Sequence, residues 1–154
     1  MYWFADTLVD FLISHDDGAD GLSVIESLAP RGDSPPYHVH RTEDEVFRVL
    51  RGELTLLVDG ERRTVGAGET VLAPKGVPHT YRVASEQARW LVVTAKGDFE
   101  RFVRAAARPA ETAGLPPRSG PPTPEQGAAF AALALQHEIE LVGPPLDDTG
   151  AIAA

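Results

Sequence analysis

Residues 32–52, with the sequence GDSPPYHVHRTEDEVFRVLRG, decide the fold of this chain. One residue separates His38 from His40, and four residues separate His40 from Glu45. Successive side chains of a strand point to opposite faces, so the two imidazoles share a face if this segment is extended. The spacing therefore predicts a strand that presents two histidines on one side, followed by a second strand that begins at Glu45.

A second segment, residues 68–79 with the sequence GETVLAPKGVPH, ends on a third histidine, His79. If the faces that carry these histidines and Glu45 all line the inside of a barrel, three imidazoles and one carboxylate can converge. Such a set suits one divalent transition metal (Fe, Mn, Co, Ni, Cu or Zn), whereas Mg²⁺ and Ca²⁺ prefer oxygen ligands alone. We therefore interpret His38, His40, Glu45 and His79 as metal ligands.

The first 97 residues alternate between short β-rich runs and turn residues. Asp59-Gly60 is a strong hairpin signal, because a type I′ turn needs a positive φ at both central positions. No helical pattern of ten residues precedes Gly97, which excludes βαβ units there. About nine short strands predict an all-β barrel or sandwich. The other predicted strands cover residues 7–14, 22–29, 45–50, 54–58, 61–65, 70–73, 79–83 and 89–94.

After Gly97 the short β-rich runs give way to helical and Pro-rich stretches. We expect a first helix over residues 98–108 with Asp98 as its N-cap, and a Pro-rich extended connector over residues 109–122. Thr123-Pro124-Glu125-Gln126 is a capping box that starts a second helix, which runs to about His137. A short strand (139–142) and a tail (143–154) complete a C-terminal extension, residues 98–154, that we expect to pack on a barrel formed by residues 1–97.

Composition excludes several classes of function. The net charge of −9 argues against binding nucleic acids or anionic membranes, because both depend on clustered Lys and Arg. We expect no transmembrane helix, and the acidic residues Asp6 and Asp10 in the apolar N-terminal stretch argue against a secretory signal. The chain contains no cysteine, hence no disulfide and no thiolate nucleophile. We predict a cytoplasmic location.

Residues 32–52 and 68–83 resemble the two signature motifs of the cupin superfamily, motif 1 and motif 2 respectively. One position departs from the family pattern, because Val83 stands where the family usually has Asn. The fifteen residues between Gly52 and Gly68 match the short spacing of microbial cupins. The resemblance implies a double-stranded β-helix (jelly roll) with one or two C-terminal helices, and one metal bound by the four residues named above.

A finer resemblance concerns residues 97–116, GDFERFVRAAARPAETAGLP, which look like the tail of single-barrel quercetin dioxygenase-like cupins. This resemblance implies an oxidoreductase that cleaves flavonols with O₂, and it points to a homodimer. The family mechanism would make Glu45 a base as well as a ligand. For the dimer we also expect the apolar residues 1–4, MYWF, to lie ahead of the first strand and to help cover an edge.

Around this site we expect a small-molecule pocket. Phe47 and Val49 share a strand face with Glu45, and Tyr81 and Val83 share one with His79. These four residues would wall a pocket for an aromatic or polyketide-like substrate, although core packing explains them equally well. Tyr81 is also a candidate catalytic group, since its hydroxyl could donate a hydrogen bond to substrate or dioxygen.

Three functions stay open at the level of sequence. The first is a metal-dependent dioxygenase, the second is a metal-dependent isomerase or cyclase, and the third is a non-catalytic module that binds a small molecule. A relic site without metal is a further alternative. We expect Glu43 and Asp44 to be solvated, and His15 and His137 to be exposed or structural.

Overall fold

The computed structural model describes residues 1–118 and 120–152. Within these ranges the chain forms twelve strands and two helices, and no helix precedes residue 98. The strands are β1 (Tyr2–Phe4), β2 (Thr7–Ile13), β3 (Ser23–Pro30), β4 (Tyr37–His40), β5 (Glu45–Arg51), β6 (Glu53–Val58), β7 (Glu61–Gly66), β8 (Thr70–Ala73), β9 (His79–Val83), β10 (Gln87–Thr94), β11 (Arg108–Pro109) and β12 (Ile139–Gly143), and the helices are α1 (Asp98–Ala106) and α2 (Pro124–Gln136).

Two antiparallel sheets enclose the core. One has seven strands in the order β11-β1-β2-β3-β10-β5-β8, and the other has five in the order β12-β4-β9-β6-β7. Burial alternates along β3, β5 and β10, so one face of each strand packs inward while the other faces out. Phe47, Trp90, Leu54 and Val83 are among the fully buried side chains between the sheets. The prediction of an all-β barrel is confirmed.

Local turn chemistry agrees with the sequence. Asp59 and Gly60 both have positive φ, 51° and 77°, and connect β6 to β7 as the predicted two-residue hairpin. Gly52, at the end of motif 1, has φ 77°, and a Cβ there would lie 2.3 Å from the carbonyl oxygen of Gln87. This position therefore requires glycine on both conformational and steric grounds.

The N-terminal segment does not lie ahead of the first strand, because it is a strand itself. Tyr2–Phe4 pairs with β2 on one side and with β11 on the other. Trp3 is buried, and its Nε1 donates to the carbonyl oxygen of Gly114, 2.9 Å away. Part of the predicted connector therefore supplies β11, and residues 1–4 cover an edge of their own barrel.

The C-terminal elements agree with prediction in outline and differ at their ends. Gly97 is the N-cap of α1, whereas Asp98 lies in the first turn and accepts a hydrogen bond from the Thr42 hydroxyl. The helix ends at Ala106, because Arg108 belongs to β11 and pairs with Trp3 of β1. The predicted capping box of α2 is present, with Thr123 and Gln126 bonded reciprocally, and β12 is the strand expected near residue 139.

Residues 144–152, most of the predicted tail, pack against the barrel. Leu146 is buried, its amide donates to the Ser34 hydroxyl, and it forms an isolated bridge with Ile152. The Arg82 guanidinium also donates to the Leu146 carbonyl. Residues 153 and 154 of the predicted tail lie outside the described part of the chain. None of the helices described is long and apolar enough to cross a membrane.

Three phenylalanines join the two helices to the N-terminal strand. Phe102 of α1 lies 5.7 Å from Phe4 of β1 and 5.2 Å from Phe130 of α2, measured between ring centroids, with both pairs edge-to-face. Aromatic pairs in this geometry add to the free energy gained by burial. Phe102 is 4% exposed, so it is the centre of this cluster.

We predict that Phe102→Ala lowers the free energy of unfolding by about 3–5 kcal/mol, because it leaves a cavity and removes both ring contacts. Leu135→Ala on α2 is the matched control, since Leu135 is 61% exposed and its loss should cost no more than about 0.5 kcal/mol. Urea unfolding followed by circular dichroism measures both. Equal effects of the two substitutions would contradict this assignment.

Candidate metal centre

The four predicted ligands come together inside the barrel, and they come from both sheets. His38 and His40 lie on β4, and His79 begins β9, where it pairs directly with His38. Glu45 begins β5 in the opposite sheet. All four side chains are buried, and one ligand atom from each lies within 4.8 Å of the others.

The ring nitrogens are oriented by the backbone. Nδ1 of His38 donates to the carbonyl oxygen of Pro36 at 2.7 Å, and Nδ1 of His79 donates to that of Val77 at 3.0 Å. In the neutral rings this arrangement leaves the lone pair on Nε2, so Nε2 is the ligand atom that each of these two histidines can offer. A carbonyl acceptor behind the imidazole is the usual support of a metal-binding histidine.

Glu45 is the point on which these imidazoles converge. Its Oε2 lies 2.7 Å from Nε2 of His79 and 3.4 Å from Nε2 of His40. Neither ring nitrogen of His40 has a hydrogen-bond partner among the described residues, although both are buried. Unpaired buried polar atoms are costly, and a cation bound to Nε2 would satisfy one of them. The residues present thus fit a divalent transition metal with three nitrogen ligands and one carboxylate ligand.

Burial and neighbouring charges shift the pKa values of three of the four predicted ligands. Burial lowers the pKa of His38 to about 3, with His79 and His40 adding to the effect. Burial alone would raise the pKa of Glu45, but the three histidines outweigh it and lower this pKa to about 2. Burial opposes protonation of His79, yet the hydrogen bond and charge of Glu45 raise its pKa above the ordinary value. The hydrogen bond between Nε2 of His79 and Oε2 of Glu45 occupies the place that a metal bound to both atoms would take.

A cavity of about 30 Å³ adjoins Glu45. Of the four predicted pocket residues, Tyr81 lines this cavity, whereas the structure places Phe47, Val49 and Val83 in the surrounding core. These three side chains do point inward, as predicted, but they pack against other core residues. Apart from Tyr81, the cavity walls come from the seven-stranded sheet and from α1, and include Phe4, Thr7, Val9, Ile25, Ser27, Trp90, Val92, Phe99 and Val103.

A few polar side chains line the cavity, namely Thr7, Ser27, Glu45 and Tyr81. The hydroxyls of Tyr81 and Thr7 both donate to Oδ2 of Asp33, each at 3.2 Å. Trp90 also lines the cavity, and its Nε1 is buried without a hydrogen-bond partner among the described residues. Burial raises the pKa of Asp33 to about 6 even though these hydroxyls oppose the shift, and burial together with Asp33 raises the pKa of Tyr81 well above its ordinary value.

Sequence analysis missed Asp33, Trp90 and Phe99 as residues near the site. Asp33 lies inside motif 1, but nothing in the motif indicates that its carboxylate meets a tyrosine 48 residues later. For Trp90, the one available signal was the alternating pattern of β10, which places this side chain on the inward face of the strand. Phe99 approaches the site only because α1 folds back over the barrel.

Glu43 was expected to be solvated, and this prediction is wrong. Glu43 is 3% exposed, and its carboxylate accepts a hydrogen bond from the Phe99 amide at 2.5 Å. Asp44 is exposed as expected and accepts from the Lys75 amide. His15 packs against Glu100, 3.3 Å away, and His137 caps the end of α2, so both have structural roles and neither belongs to the cluster of four ligands.

Comparison with known proteins agrees with this structure. Residues 24–94 match the cupin domain family, and the two-sheet barrel has the cupin fold. The chain is 29% identical over 131 residues to the quercetin 2,3-dioxygenase of Bacillus subtilis (strain 168), an alignment that covers 85% of this chain and 39% of that protein. It is 34% identical over 83 residues to the dimethylsulfoniopropionate lyase DddQ of Ruegeria pomeroyi, covering 53% of this chain and 40% of that protein.

Among solved structures, the polyketide cyclase RemF from Streptomyces resistomycificus superposes with a TM-score of 0.54 and 28% identity, covering 62% of this chain and 72% of that one. The chain spans less than half the length of the two curated relatives named above. The comparisons therefore support the fold and the resemblance to quercetin dioxygenase-like cupins. They leave the reaction itself to be tested.

We predict that the wild-type protein binds close to one divalent transition metal per chain, and that His79→Ala loses most of it. The substitution removes one of three nitrogen ligands and the partner of Glu45. His137→Ala serves as the control, because it removes a histidine outside the cluster. Elemental analysis after dialysis gives the metal content. Unchanged content in His79→Ala would refute the ligand assignment.

We predict that Asp33 makes stability fall as pH rises from about 4 to about 6. Its pKa is about 6 in the folded protein and about 3.9 in an unfolded chain, so the folded state binds more protons between these values. Asp33→Asn removes this titration, and the variant should therefore gain stability relative to wild type on going from pH 4.5 to pH 7. Urea unfolding at both pH values measures the difference, and a difference that does not change with pH would count against it.

Proposed function

We propose that this cupin is a metal-dependent dioxygenase that acts on a flavonol-like or other enolisable aromatic or polyketide substrate with O₂. The observation that carries the proposal is the buried cluster of three histidines and Glu45 beside a mainly apolar cavity that a few polar side chains line. The resemblance to a quercetin 2,3-dioxygenase across 85% of the chain supports the choice of reaction. Tyr81 is proposed as a further group that contacts the substrate.

The metal, when bound, supplies a Lewis acid with open coordination positions for a substrate oxygen. Three imidazoles suffice to hold an ion in many catalytic sites, which leaves the Glu45 carboxylate free to exchange between ligand and base. The low pKa of Glu45 reflects its histidine neighbours, whose Nε2 lone pairs would be taken up by a bound metal. Glu45 can then accept the proton of an enolic hydroxyl, which makes the substrate electron-rich enough to react with O₂.

The polar groups at the cavity support an oxygen-bearing substrate. The Trp90 indole offers a donor, and the Tyr81 hydroxyl is held by Asp33 with its own donor already used, so toward the cavity its oxygen acts as an acceptor. Apolar side chains such as Val92 and Phe99 form the remaining walls. This combination of apolar walls and few polar groups is typical of small-molecule sites.

Cavity size sets a condition on the substrate. About 30 Å³ holds roughly two water molecules, far below the 300–1,000 Å³ of typical ligand pockets. A flavonol therefore needs side chains around the cavity to move. Those best placed to do so are Phe99 and Val103 on α1, which packs on the barrel from outside and is not part of either sheet.

A second candidate is Lewis-acid chemistry without O₂, as in an isomerase or cyclase. The superposition on a polyketide cyclase and the alignment with a lyase favour this alternative. Oxygen uptake separates the two functions directly, and a protein that binds such compounds without converting them would be the non-catalytic module. A homodimer and a cytoplasmic location remain predictions, as does the absence of nucleic-acid and membrane partners.

We predict that Glu45→Gln retains most of the metal and loses turnover by about 10²–10⁴-fold, because the amide keeps one ligand oxygen and loses the basicity. Oxygen uptake with quercetin as the flavonol, together with elemental analysis, gives both quantities. Glu53→Gln, an exposed substitution of the same kind on β6, is the control. Full activity in metal-loaded Glu45→Gln would show that Glu45 acts only as a ligand, and it would favour the Lewis-acid alternative.

A further inference from the structure

Glu43 lies between the metal cluster and the helix that closes the cavity. Its side chain is 1% exposed, as is that of His40 three residues earlier. Oε1 accepts the Phe99 amide at 2.5 Å and lies 3.8 Å from Nδ1 of His40, while Oε2 has no hydrogen-bond partner among the described residues. A carboxylate this buried with one unpaired oxygen is costly unless it interacts with a charge or a donor.

His40 differs from the other two histidines in its support. His38 and His79 donate Nδ1–H to backbone carbonyls, whereas Nδ1 of His40 has no such acceptor. The Glu43 carboxylate is the acidic group within 4 Å of that atom. A rotation of the His40 ring that brings Nε2 toward the other ligands can close the 3.8 Å separation to a hydrogen bond.

The same residue holds the start of α1. Gly97 is the N-cap and offers no side chain, so the Phe99 amide in the first turn depends on Glu43 for an acceptor. The Thr42 hydroxyl donates to Asp98 at 2.6 Å, and thus two consecutive residues between the metal ligands bind this turn. Phe99 in turn lies against the His40 ring, 5.4 Å between centroids, and lines the cavity.

We propose that Glu43 is a positioning residue that accepts Nδ1–H of His40, fixes its Nε2 toward the metal, and through the Phe99 amide couples metal binding to the seating of α1 over the cavity. The inference rests on the proposed metal centre. A carboxylate behind an imidazole raises the basicity of the ligand, and loss of such a partner typically weakens metal binding by about 10–100-fold. Metal binding and closure of the cavity then share one side chain, and a metal-loaded protein holds α1 more firmly than a metal-free one.

The test uses Co²⁺ as the probe on the full-length protein, with Glu43→Gln as the main variant and Glu43→Ala as the second. Co²⁺ affinity is measured by competition with a chelator, ligand geometry by visible absorption, and the seating of α1 by hydrogen exchange of peptides that contain Phe99, with and without Co²⁺. Asp44→Asn is the matched control, because Asp44 also accepts a backbone amide but is exposed.

In Glu43→Gln we expect Co²⁺ affinity to fall about 10-fold or more, with an altered visible spectrum, since the amide fits the space but lacks the charge. Glu43→Ala should fall at least as far, and Co²⁺ should no longer slow exchange at Phe99. Asp44→Asn should match wild type in all three measurements.

Wild-type affinity and spectrum in both Glu43 variants would overturn the proposal while leaving the metal centre intact. Faster exchange at Phe99 with unchanged Co²⁺ binding would also overturn it, since Glu43 would then only cap the helix. Failure of the wild-type protein itself to bind Co²⁺ would instead refute the metal centre, and with it the role assigned to Glu43.

Discussion

The contact between Glu45 and His79 is the constraint on which the rest of the structure depends. It joins the two sheets at 2.7 Å in an interior from which water is largely excluded. Burying charged and polar groups in such surroundings costs free energy unless the groups are paired. Strand pairing, stiff loops and backbone carbonyl acceptors must therefore keep these side chains in contact with their partners. The direct pairing of His38 with His79 across β4 and β9 meets that requirement for two of the imidazoles.

The C-terminal extension is best understood as part of the wall of the site. Glu100 of α1 is fully buried and accepts hydrogen bonds from the Ser14 hydroxyl and the His15 amide, with Arg104 as its ion-pair partner. Burial would raise the pKa of Glu100, but these donors lower it to about 2, so the anchor stays charged at neutral pH. One face of the helix is thereby fixed to the barrel, while its first turn is held by the loop that joins β4 to β5.

Sequence could predict the ligands because strand periodicity leaves little freedom: one residue between His38 and His40 places both on one face, and turns fixed by Asp59-Gly60 and Gly52 set the register of neighbouring strands. It could not predict the environment of Glu43, because an acidic residue in a loop is usually solvated and becomes buried only when a distant helix brings an unpaired amide to it. The same reason applies to Tyr2–Phe4 and Leu146, whose partners are more than 90 residues away or depend on long-range packing.

The central claim is that His38, His40, Glu45 and His79 bind one transition metal, and the most direct measurement is anomalous diffraction from crystals of protein purified without added metal. We predict one anomalous peak between β4, β5 and β9. Its distances to the three Nε2 atoms and to a Glu45 oxygen should be about 2.0–2.2 Å. A peak at another place, or no peak together with an intact hydrogen bond between Glu45 and His79, would contradict this account.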